Sequence, residues 1–94
     1  MAQNTTITVP AATWTQLTDA DITSITFQNV GSNHIVIKAT TDATAPTTTT
    51  GGFRYNPGQG ERNVALSDLF PGIAARDRLW CYSIDSTSVV VSHA

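Results

Sequence analysis

The feature that most constrains this chain is a two-residue alternation of apolar and polar side chains, carried in short runs that turn-forming residues close. In His34–Thr40 (HIVIKAT), Ile35, Ile37 and Ala39 fall on one side and His34, Val36 and Lys38 on the other. In Ile22–Val30 (ITSITFQNV), Ile25 and Phe27 alternate with Thr26 and Gln28. In Arg78–Ile84 (RLWCYSI), Leu79, Cys81 and Ser83 oppose Arg78, Trp80 and Tyr82. Successive side chains of an extended strand point to opposite faces, so this period builds half-buried strands and does not fit the 3.6-residue stripe of a helix. Thr5–Val9, Thr13–Leu17, Phe53–Asn56, Asn63–Leu66 and Thr87–Ser92 complete the set. Seven or eight short antiparallel strands in a single domain over 1–94 predict an all-β sandwich or small barrel. The only helical candidate is a turn near 67–70, with Ser67 as its cap and Pro71-Gly72 as its stop.

The connections are equally legible. Gly31-Ser32-Asn33 between two alternating runs reads as a hairpin turn. Residues 41–52 (TDATAPTTTTGG) are low-complexity and read as an exposed Thr-rich loop. Pro57-Gly58-Gln59-Gly60 is turn chemistry, and it lacks the Lys-Ser/Thr and following helix of a phosphate loop. Residues 1–6 are polar and free of glycine, and read as an extended arm for pairing with a neighbour's strand edge. Alternation assigns Trp14, Ile25, Phe27, Ile35, Ile37, Leu79 and Val91 to the core.

Composition then narrows the chemistry. Charged residues make up only 13% of the chain and the net charge is -2, which gives no electrostatic footprint for DNA or RNA. No apolar run approaches the ~18–20 residues of a membrane-spanning helix. Polarity comes mostly from 16 Thr and 7 Ser hydroxyls. The lone Cys81 excludes an internal disulfide and a multi-cysteine zinc site, and inside an apolar strand it reads as a buried structural thiol. His34 and His93 have no metal-ligand neighbour at i+2 or i+4. Asp19 and Asp21 flank Ala20, but calcium takes six or more oxygens and no third carboxylate is near, so turn chemistry is the better reading. The expectation is therefore a non-enzyme with no cofactor and no metal.

Binding surfaces remain. Trp80 and Tyr82, at i and i+2 on one strand face, have the spacing of a carbohydrate platform, with core packing or subunit contact the favoured reading. Phe53-Arg54-Tyr55 joins side-chain types enriched at interaction hot spots. The alternative is a short edge strand with Phe53 and Tyr55 facing inward, and the sequence leaves both open. Arg54 and Arg62 lie on either side of the 57–60 turn, where together they would hold a partner carboxylate bidentately. Phe53, Arg54, Tyr55 and Arg62 are the expected partner-binding residues.

An N-terminal strand, Trp14-x-x-Leu17, ITFQNVGSNHIVIKAT, a Thr/Pro loop, GFRYNPGQGERNVALSDLFPG, LWCYS and a closing VVVSHA follow one another in this order. The order resembles small β-sandwich virion proteins of tailed bacteriophages and gene-transfer particles, over nearly the whole chain. That resemblance implies a structural protein, first of all a head decoration (cement) protein that binds the outside of the capsid and stabilises it. It implies a virion location at the capsid surface, with the major capsid protein or other virion proteins as partners and neither nucleic acid nor membrane. A homo-oligomer is expected, a trimer by preference. The alternatives are a vertex spike-base or tail component, or a receptor- or glycan-binding β-module.

Overall fold

Every alternating run becomes a strand. A computed structural model describes residues 2–41, 44–73 and 76–94. Its elements are β1 (Gln3–Val9), β2 (Thr15–Gln16), β3 (Ser24–Asn29), β4 (Ile35–Thr40), β5 (Phe53–Tyr55), β6 (Gly60–Ala65), α1 (Leu66–Leu69), β7 (Arg78–Tyr82) and β8 (Thr87–His93). They form two four-stranded antiparallel sheets, ordered β1-β8-β3-β6 and β2-β7-β4-β5. Pairing is nested: β1 with β8, β2 with β7, β3 with β6 and β4 with β5. The chain is thus one long hairpin with β4 and β5 at its tip, folded over so that every pair of consecutive strands except β4 and β5 is divided between the two sheets. This is the eight-stranded jelly roll.

The core lies between the sheets where alternation placed it. Val9, Ile25, Phe27, Val89 and Val91 of the first sheet meet Ile35, Ile37, Ala39, Leu79 and Cys81 of the second, all buried. Each such aliphatic or aromatic side chain contributes roughly 1.5–3 kcal/mol on burial. Leu17, Ile22, Leu66 and Phe70 belong to the same cluster. Trp14, expected in the core, is only half-buried. Its ring packs at 5.3 Å from that of Tyr82, on the outward side of β7. The register sets Thr15 against inward-facing Cys81 and Gln16 against Trp80, so alternation turns Trp14 to the outward side with Tyr82.

Three local expectations are corrected. β3 and β4 are not a hairpin: they lie in different sheets. The cause is competition for edges, because β8 and β6 flank β3 while β7 and β5 flank β4. Asn29, fully buried at 0% exposure, organises the crossing between sheets. Its Nδ2 donates to the carbonyls of Asn33 (2.7 Å) and Tyr55 (3.3 Å), and its Oδ1 accepts from Gly31 N–H (3.1 Å) and Thr87 Oγ1 (3.3 Å). Of the segment read as an arm, Gln3–Thr6 are the first half of β1, paired with β8; Met1 lies outside the described residues. Ser67 lies within α1 rather than capping it, since the cap position is Ala65, without a side-chain bond. The 41–52 loop is exposed over most of its described length, and Asp42 and Ala43 lie outside the described residues. Lys38 Nζ donates to Thr48 O at 3.2 Å, which draws the loop over the outer side of β4.

Candidate functional site

β5 and β6 are edge strands, one in each sheet, and the turn joining them spans the open side of the sandwich. That turn places Pro57 second and Gly58 third, with φ of 85° at Gly58 and Gln59 N–H donating to Asn56 O at 2.9 Å. A positive φ at the third position is the type II pattern, which glycine adopts without a Cβ clash. The register makes Phe53 and Tyr55 face Ile37 and Ile35, so both rings lie on the inward side of the second sheet. The inward edge-strand reading of Phe53-Arg54-Tyr55 thus describes their direction.

Inward direction does not mean burial at an edge. Tyr55 stacks edge-on against Phe27 (centroids 5.0 Å, 83°) and donates its hydroxyl to Glu61 Oε2 at 3.1 Å across the sheets. Burial and the adjacent Glu61 carboxylate push its phenol up to about 12 from 10.0. Phe53 packs against Phe70 at 5.4 Å yet remains 53% exposed, because a three-residue edge strand and one helical turn do not cover it. Phe53, Tyr55 and Glu61, with Arg54, Val64, Asp68 and Leu69, line a cleft of about 440 Å3. Glu61 and Val64 were not singled out from sequence, for a physical reason. A bulge opposite Thr26 inserts a residue into β6, so Glu61 pairs with Phe27 and Val64 with Ile25, both facing inward three positions apart. Asn63, at φ 45°, carries the bulge, and its N–H donates to Thr26 Oγ1 at 2.8 Å. Such a shift erases the period that sequence reading uses.

Arg54 and Arg62 are not brought to one cleft. Arg54 stands opposite Val36 and lines the Phe53 cleft and a second one of about 360 Å3 with His34, Val36, Thr49, Tyr82, Ser83 and Ile84. Arg62 lines a third, over β3 and β8, with Thr26, Gln28, Val90 and Ser92. Those residues belong to the outward side of the other sheet, so the shared-carboxylate geometry does not form. Each arginine is without an ion-pair partner among the described residues.

The remaining candidates are structural. Trp80 is 8% exposed and donates Nε1–H to Thr40 Oγ1 at 2.7 Å, so it offers no flat ring to a sugar. Cys81 is buried, and burial pushes its thiol up to about 12 from 9.0, far from a nucleophile's range. Asp21 accepts from Arg78 Nε at 2.7 Å, and Asp19 Oδ1 lies 3.3 Å from His93 Nε2. The two carboxylates of the TDADI segment thus lie against the start of β7 and the end of β8. Among the described residues there is no group of three or more His, Cys, Asp or Glu side chains that could hold a metal ion, and no helix is long and apolar enough to cross a membrane. Comparison with known proteins gives no matching family model, no matching curated protein and no matching solved structure.

Proposed function

We infer that this chain is a structural, non-enzymatic virion protein of a tailed phage, a head decoration protein that sits on the outside of the capsid and stabilises it. The observation that carries the reading is the exposed Phe53 ring, set in a cleft on a short edge strand beside Arg54, which has no ion-pair partner among the described residues. An aromatic and an arginine at the rim of a surface depression are what a protein partner uses as anchors. The jelly roll supports the setting, since capsid-associated modules use it, and this support is fold-level analogy. Major capsid protein or another virion protein is the partner, and repetition over the shell turns weak single contacts into large total stabilisation.

The test adds purified protein to particles that lack it and measures copies bound per particle. Phe53→Ala with Arg54→Ala leaves the Tyr55–Glu61 bond in place and is expected to lower binding at least tenfold while the melting temperature stays near that of the unchanged protein. Wild-type occupancy by this double variant would place the contact surface elsewhere. Failure of the unchanged protein to bind particles, with retention on a glycan array, would replace the reading by a glycan-binding one.

A further inference from the structure

Each sheet ends in two edge strands, and a bare edge presents a row of unpaired N–H and C=O groups to any other strand. Three of the four edges carry features that discourage such pairing. β2 is two residues long, and β5 is three residues long with Arg54 at its centre. β6 carries Glu61 and Arg62 and is interrupted by the bulge at Asn63. β1 carries none of these. Its seven residues, QNTTITV, contain no charge, proline or glycine and run in unbroken register along β8 from Gln3↔His93 to Val9↔Thr87. No strand among the described residues lies on its outer side.

A second observation lies on the same strand. Gln3, Thr5, Ile7 and Val9 form its inward set, because Thr5 pairs with Val91 and Ile7 with Val89, both fully buried. Yet Thr5 is exposed and Ile7 only half-buried. The facing sheet offers just the two-residue β2 at this side, too little to cover them. A neighbour that extends the first sheet would cover both.

We propose that the β1 strands of two copies of this chain pair antiparallel across a twofold axis, joining two β1-β8-β3-β6 sheets into one continuous sheet. The occupant is a second copy because twofold pairing sets a strand against itself, and like charges directly opposite one another are destabilising. An uncharged strand meets itself without that penalty, whereas two β5 edges would oppose Arg54 to Arg54. Inward residues must face inward residues, and the register that uses all seven sets Thr6 against Thr6, Thr5 against Ile7 and Asn4 against Thr8. Thr6, Asn4 and Thr8 then form a hydroxyl and amide ladder on the outer face. The pairing closes after two copies, so the free protein is a dimer rather than the trimer favoured from sequence. It does not depend on the virion reading.

The test is sedimentation equilibrium of the full chain over a concentration range of about 10 μM to 1 mM. The unchanged protein is expected to shift from monomer to dimer across it. Thr6 is exposed, so Thr6→Lys and Thr6→Glu keep the fold, checked by circular dichroism, and each alone is expected to weaken self-association at least tenfold. An equimolar mixture of the two is expected to regain the dimer, since Lys then opposes Glu. An unchanged protein that stays monomeric or forms a trimer overturns the proposal. Dimerisation of Thr6→Lys at the wild-type level, or a mixture that does not recover, overturns it as well.

Discussion

Asn29 does more for this structure than its small side chain suggests. Four segments converge on it: the 31–33 crossing, the end of β5, the start of β8 and, through its backbone, the 57–59 turn. Asn29→Ala removes the acceptor of the half-buried Gly31 N–H and of the buried Thr87 hydroxyl, each lost bond costing about 1–3 kcal/mol. The expected outcome is a loss of about 2–4 kcal/mol in urea unfolding, a large share of the stability of a small domain. Ala12 acts in the opposite direction. It holds φ 52°, a left-handed conformation, while its N–H donates to Ser83 O at 2.7 Å. Glycine adopts that region without a Cβ clash, so Ala12→Gly is expected to raise stability by about 0.5–1 kcal/mol, read as a higher melting temperature. Tyr55 gives the fold an alkaline limit. Its phenol is raised to about 12 in the folded chain against 10.0 for an ordinary tyrosine, so the fold prefers the neutral form. The stability this provides is full below pH 10 and is lost as pH rises towards 12. Tyr55→Phe is therefore expected to flatten the decline in the urea midpoint across that window. An equally steep decline in the variant would assign it to other groups, the raised Cys81 thiol first among them.

At the scale of elements, β3 and β6 show how close the backbones come. A Cβ on Gly60 would meet the carbonyl oxygen of Phe27 and the Cα of Gln28, both backbone atoms that do not yield. Gly60→Ala is expected to cost about 1–3 kcal/mol, checked by thermal unfolding, because β6 must shift off β3. On the other strand of this pair, Phe27→Ala removes a ring that touches Tyr55 and fills the interlayer, at about 3–5 kcal/mol. These elements also mark how far the sequence was legible. β3, β4 and β8 bury alternate residues all along, so their periods survived intact. β6 does not, because its bulge shifts parity midway, and Glu61 and Val64 of the candidate cleft were hidden with it. Phe53, Arg54 and Tyr55 were found through residue type alone. Their grouping with Asp68 and Leu69 was not, since nothing local says that α1 closes that side of the sandwich.

For the whole molecule the decisive fact is nesting. The outermost pair joins Gln3 to His93, so the sheet containing β1 is complete only when both ends of the chain have been brought together. Closing so long a loop costs entropy before any contact is gained, and refolding is expected in the millisecond-to-second range, checked by stopped-flow fluorescence of the two tryptophans. The sequence by itself determined that this chain is all-β, where most strands lie and which faces they bury. Those follow from a two-residue period and turn chemistry, which are properties of neighbouring residues. Only the tertiary structure decided which strands pair. Each strand has two edges to fill, and β8 and β6 occupy both edges of β3, leaving none for its sequence neighbour β4. The hairpin expected at Gly31-Ser32-Asn33 thus became a crossing between sheets, Arg54 and Arg62 were turned to different clefts, and Phe53 was left exposed at an edge. Competition for edges is a global contest, and no window of residues contains its outcome.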